Sequence, residues 1–402
     1  MNTLLRQYRA GKQVSRYCIM FLLLIWSISQ VYYGVPAQGM AQNVDEGIRR
    51  LIIKSLPEVD LIKNKDLKER VYKAWALTLS KGGYKRIEDM PTSMEPGSTP
   101  LKKGTRADIV CSMVRIALAF TKDMEDNLAD FEADMDKVRA ATLCYSLDTP
   151  EFKLVMGVDK QALSGTTHGQ IARRADMAFW TMANFGCLLE GAGELSLPVE
   201  APFVMWEKER KQVDETTRKG VIKSLPEATM LKDQELRERL YDAWAFSLSK
   251  SSFNRIEDMR GSGSPDSPAL KQSTQADHIR AVARLAVAIA EEFEEHFGLR
   301  FNRDEVIAGG LLHDVGKPFE FDPENRKRWQ ANPRITGYPT MRHSVYGAYI
   351  ALAVGLPERI AHIPGAHSRE GQFIERSMVC EIIGQADHAY WDITDRAGLL
   401  QK

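Results

Sequence analysis

The sequence predicts an all-α protein built from two related helical units, and three observations lead there. Apolar residues recur at helical spacing in both halves, no run alternates polar and apolar residues convincingly as a half-buried strand does, and part of the chain is repeated. Positions 53–90 align with 222–259 without a gap, 22 of the 38 being identical, and Ser-Leu-Pro stands at 55–57 and again at 224–226. The register continues through two Gly-, Pro- and Ser-rich stretches, 91–104 and 261–273, which read as matching surface loops.

A chain of 402 residues suits two domains that each bury a core. The sequence places a targeting segment at 1–41, a first helical copy at 42–200 and a second at 201–402, joined near the small, Pro-containing stretch 191–203. Lys+Arg and Asp+Glu both total 54, so no basic excess argues for a nucleic-acid partner. The five cysteines show neither metal-knuckle spacing nor a disulfide framework and read as buried apolar residues.

At the N-terminus Arg6, Arg9, Lys12 and Arg16 precede an apolar run at 17–28, and the small residues Ala37, Gly39 and Ala41 follow. That order is the order of a secretory signal. The expectation is therefore an exported chain, or one anchored through this segment as its one membrane contact. A start at Met40 would leave a cytoplasmic protein.

The halves differ in chemistry. Ala276-Asp277-His278 aligns with Ala107-Asp108-Ile109, and Leu311-Leu312-His313-Asp314 with Leu143-Cys144-Tyr145-Ser146. Seven of the eight histidines follow residue 214, so one copy holds the ligand-type residues and the other has lost them. His168 reads either as a relic of His343 or as an ordinary surface or core histidine.

In the second half the candidate ligands sit on helical phases. His278 shares a face with Val282, Leu285 and Ile289 on a helix over 275–297, whose polar back, Glu291, Glu292, Glu294 and Glu295, reads as solvated. A helix opening at Asn302 and ending at Gly316 carries His313 and Asp314 in its last turn, with Lys317 just beyond. His343 begins another helix, Pro364 ends the next and leaves His367 on a loop at 365–371, and Asp387 lies on a late helix in line with Cys380, Ile383 and Gly384. Burying Asp314 and Asp387 on apolar faces is costly unless a metal compensates their charge. His362 and His388 face elsewhere; Arg334, Arg342 and Arg369 are candidate contacts for a small anionic substrate.

The ordered set His278, His313-Asp314 and Asp387, followed by Val-Gly-Lys-Pro at 315–318, resembles the HD superfamily of metal-dependent phosphohydrolases over 275–392. The further pair His343 and His367 resembles the subset with a binuclear site, which includes HD-GYP phosphodiesterases and di-iron oxygenases related to myo-inositol oxygenase. The resemblance implies one metal on His278, His313, Asp314 and Asp387, and a second on a bridging Asp314 with His343 and His367. It also implies a catalytic role for Asp314 and for Lys317, the latter through contact with substrate phosphate or alkoxide. The string Gly337-Tyr338-Pro339 precedes His343, whereas the HD-GYP motif follows the fourth histidine.

The expected activity is hydrolysis of a phosphate ester or nucleotide-like substrate by metal-activated water, with one or two Mn, Fe or Zn ions suiting the mixed nitrogen and carboxylate ligands. A di-iron oxygenase on the same ligands is the alternative, and a non-catalytic regulatory protein the second.

Overall fold

The computed structural model describes residues 44–94, 97–194 and 213–401, so the expected targeting segment and most of the expected linker lie outside it. The described residues are mostly helical, as the periodicity predicts. The first half runs α1 (Glu46–Ser55), α2 (Lys65–Gly82), α3 (Arg106–Asn127), α4 (Met135–Cys144), α5 (Thr149–Met156), α6 (Lys160–Leu163) and α7 (Thr167–Phe185). The second begins α8 (Glu215–Ser224), α9 (Gln234–Leu248), α10 (Gln275–Phe297), α11 (Arg303–Leu312) and α12 (Lys317–Phe321). It continues α13 (Pro323–Ala331), α14 (Pro333–Thr336), α15 (His343–Ala353), α16 (Glu358–Ala366) and α17 (Met378–Arg396).

Small polar devices that start and tie these helices recur at matched positions. Asn64 caps α2 by accepting from the Leu67 N–H, and Asp233 caps α9 by accepting from Leu236. The carboxylate of Asp136 accepts from the backbone of Lys63 and Asn64, as that of Asp304 does from Lys232 and Asp233. Capping boxes join Thr105 to Asp108 at the head of α3 and Thr274 to Asp277 at the head of α10.

The correspondence extends past the region where the repeat is plain in sequence. Helices α7 and α17 are both 19 residues long, and Ile171, Ala175, Asp176, Ala178 and Trp180 take the positions of Ile382, Ala386, Asp387, Ala389 and Trp391. Isolated β-bridges follow suit, Leu101 with Leu189 and Leu270 with Leu400. On this register residues 322–377 of the second half stand where 154–166 stand in the first, so α13 to α16 are extra. On the same register His168 stands opposite Val379.

Both halves belong to one compact unit, Glu46–Lys402. Helix α3 packs on α10 and α7 on α17, burying Phe120, Phe179, Ile289 and Phe293. Reciprocal ion pairs cross this contact: Arg115 pairs with Glu292, and Arg284 with Asp123. Glu292 is accordingly buried rather than solvated, because its helix back is covered by the other half.

Two strands, β1 (Arg260–Ser262) and β2 (Ala269–Thr274), form an antiparallel hairpin within the stretch expected to be a loop. The Arg260 guanidinium closes its turn on the carbonyls of Pro265 and Ser267, so the hairpin is held by the turn and backbone pairing rather than by apolar alternation. The described cysteines, Cys111, Cys144, Cys187 and Cys380, are free. Among the described residues no helix is long and apolar enough to cross a membrane.

Candidate metal centre

Helix α10 presents His278 one turn from its start, fully buried, and α11 lies unusually close to it. A Cβ on Gly310 would fall 2.6 Å from the Cα of Ala283, so glycine is what lets the two backbones meet. His313 is the C-cap of α11, and it and Asp314 lie just past the helix end rather than in its last turn. Lys317 opens the next helix, since Pro318 suits its second position. His367 caps a helix that runs through Pro364 to Ala366, a proline near the C-terminal end removing only one hydrogen bond.

These turns bring together all six expected ligands. Nε2 of His278 lies 3.2 Å from Nε2 of His313, 3.2 Å from Oδ2 of Asp314 and 3.3 Å from Oδ1 of Asp387. Nε2 of His313 is also 3.2 Å from Asp314 Oδ2. On the other oxygen of the same carboxylate, Oδ1, converge Nε2 of His343 at 3.5 Å and of His367 at 3.7 Å. Ligand atoms about 2.1 Å from a shared ion stand roughly 3 to 3.5 Å apart, so these spacings suit coordination. Two groups, His278–His313–Asp387 and His313–Asp314–His367, can each hold an ion, and Asp314 offers one oxygen toward each pair of histidines.

The opposite edges of the rings fix their orientation. His313 Nδ1 donates to the Gly310 carbonyl at 2.7 Å, and His367 Nδ1 to that of Pro364 at 3.1 Å. His343 Nδ1 donates to Glu320 Oε2 at 2.7 Å, and the same oxygen accepts the His343 backbone N–H, one of the donors a helix start leaves open. The Nε2 lone pairs of these three rings are thereby turned inward. Gly316 makes room for this: a Cβ there would sit 1.9 Å from the His343 carbonyl oxygen.

Asp314 is held as firmly. Gln275 donates to its Oδ2 at 2.8 Å, and the Lys317 ammonium lies 2.7 Å from the same oxygen while donating to the Ser262 carbonyl at 2.8 Å. Burial opposes its ionisation, but Lys317, His313 and His278 outweigh that and hold the carboxyl well below its ordinary range. Burial, then the neighbouring His313, pull His367 down to about 3, leaving it a neutral ligand. Lys317 itself is 2% exposed, between the rings of Phe321 and Trp391. Asp387 keeps 17% of its side chain exposed against 5% or less for the other five, so the centre opens to solvent on its side.

Of the arginines considered for substrate, Arg342 is engaged by Glu320 and Glu370, while Arg334 and Arg369 are exposed. Gln275, Glu320 and the Ser262 carbonyl were not anticipated. Comparing the halves would have pointed to two of them: Glu320 stands where the first half has Phe152, and Gln275 where it has Arg106.

Residues 276–389 match the family model of the HD domain. Over 100 aligned residues the chain is 31% identical to the dihydroneopterin 2',3'-cyclic phosphate phosphodiesterase of Methanocaldococcus jannaschii, covering 23% of this chain and 39% of that relative. The chain thus matches well under half of that relative's length. No solved structure matches it. The stretch that matches the HD domain begins two residues before His278 and ends two residues after Asp387, so it spans all six residues of the constellation.

Proposed function

We propose that the protein hydrolyses a phosphate ester, foremost a phosphodiester, at a centre of one or two divalent transition metals. The observation that supports this most is the inward convergence of four histidine Nε2 atoms on the two oxygens of Asp314. Metal ions held there would supply Lewis acidity, activating water and polarising a phosphoryl oxygen. His278, His313, Asp314 and Asp387 would hold one, and Asp314, His343 and His367 the other. Gln275 and Lys317 fix the Asp314 carboxylate, Glu320 fixes the His343 ring, and Trp391 packs beside His278 at 4.5 Å between ring centres, excluding water from that side. Substrate would enter beside Asp387. The relative's printed activity, on a cyclic phosphodiester, favours the same substrate class.

The test is an assay of chelator-stripped protein, reloaded with Mn, Fe or Zn, on bis(p-nitrophenyl) phosphate and a 2',3'-cyclic nucleotide, with and without dioxygen. The reading expects metal-dependent hydrolysis indifferent to dioxygen. Turnover that requires dioxygen would move the chain to the oxygenase alternative.

We also propose that the halves are duplicated copies, the first without metal chemistry; the matched caps, bridges and reciprocal ion pairs support this. The segment 1–41 is proposed to export or anchor the chain.

A further inference from the structure

The first half keeps a polar cluster at the positions that match the candidate metal centre of the second. Ile109, Tyr145, Ser146 and Asp176 take the positions of His278, His313, Asp314 and Asp387, and Arg106 that of Gln275. Arg106 is 7% exposed and lies at the first position of α3. Its Nη1 donates to the Ser93 carbonyl at 2.8 Å and its Nη2 to that of Ser146 at 3.3 Å. Its Nε has no partner, and the hydroxyl of Ser146, whose carbonyl Nη2 holds, has none either.

Of the two buried arginines among the described residues, Arg174 is paired with Asp392, whereas Arg106 has no carboxylate within ion-pair distance. Asp176 and Asp148 act on it only at longer range, and burial pulls its pKa down. A buried, incompletely bonded guanidinium is expensive, and the physical remedy is a counter-charge with acceptor oxygens. A metal ion is the wrong sign. Lys160 adds a second cation, its ammonium 5.5 Å from the Tyr145 ring centre and 5.8 Å from that of Phe152. Tyr145, Ser146, Lys160, Asp176 and Trp180 are all partly exposed, so the cluster reaches solvent.

We propose that this cluster binds a phosphate-type oxyanion, taken by the unused Nε edge of Arg106 with the Ser146 hydroxyl and the Lys160 ammonium. A tetrahedral oxyanion supplies two oxygens to the guanidinium edge and a further one to the hydroxyl. The first half is then a ligand-sensing counterpart of the metal centre, and the inference does not depend on what the second half catalyses.

The test uses the full chain carrying His278→Ala in the presence of chelator, so that the metal centre offers nothing to the anion. Inorganic phosphate and a nucleoside monophosphate are titrated by calorimetry, with melting followed in parallel. The expected result is saturable binding with a rise of several degrees in melting temperature, weakened at least tenfold by Arg106→Gln, the residue the second half uses. Preference for one probe shows whether free or esterified phosphate is the ligand. Without phosphate, Arg106→Gln should melt no lower than its parent. No binding of either probe, or binding that Arg106→Gln leaves unchanged, overturns the proposal. If that variant does not fold, Ser146→Ala decides in the same way, with a loss of at least threefold expected and unchanged affinity counting against.

Discussion

The ammonium of Lys317 lies 2.7 Å from Oδ2 of Asp314, and its second hydrogen bond goes to the Ser262 carbonyl of the hairpin. A lysine expected at the sequence level to reach substrate is thus turned back on the carboxylate that both groups of ligands share. Lys317→Met should therefore weaken metal binding by about 10- to 100-fold, with helical content retained, because it frees a ligand and leaves its charge poorly compensated. Metal titration of the variant checks this. Unchanged affinity with a lowered kcat would return Lys317 to a substrate contact.

Glu320 holds one ligand by two bonds, at the ring and at the backbone of His343. Glu320→Gln keeps size and its amide oxygen can still accept both, but an amide accepts less strongly and fixes the ring tautomer less well. About tenfold weaker binding of the ion near His343 and His367 is expected, with the His278 side unaffected. Stepwise metal titration, resolving two affinities, would show one of them moving.

The ion pairs across the halves tie the fold together. Arg284 bridges Asp123 of the first half and Glu227 of the second, and Asp123 is raised by burial even with that partner. Arg284→Met should cost about 1 to 3 kcal/mol in denaturant unfolding, since it strands two carboxylates in a partly buried contact. Removing Asp123 in the same chain should recover part of the loss.

Asp176, the counterpart of Asp387, is pushed up to about 6, chiefly by burial and against the pull of Lys160, Trp180 and Arg106. A carboxyl raised on folding binds its proton more tightly in the native state, so stability falls as pH rises from about 4 through 6. Asp176→Asn should therefore be more stable than the parent at pH 7, by roughly 1 to 3 kcal/mol, and equal to it below about pH 4. Unfolding curves at pH 4 and pH 7 check the sign.

The candidate ligands were legible because His278, His343 and Asp387 stand on helices with apolar faces, where a polar residue needs a reason, and His313, Asp314 and His367 directly follow such helices. The helix bearing His278 was also legible to its ends, 275–297 matching the observed Gln275–Phe297. Glu320 was not, because a carboxylate on a short helix after a proline looks like surface until the helix carrying His343 covers it. The hairpin escaped because its pairing is made by backbone groups, and Glu292 because its partner, Arg115, lies on the other half. The match of Asp176 to Asp387 was hidden by residues 322–377, which shift the second half against the first and carry both His343 and His367.

The most direct test is the metal content of the purified chain after metal-supplemented expression, for the parent and for Asp314→Ala. The account predicts one to two equivalents of transition metal in the parent, and a loss of most of it in the variant, because both ligand groups converge on that carboxylate. A parent without metal, or a variant holding as much as the parent, would contradict it.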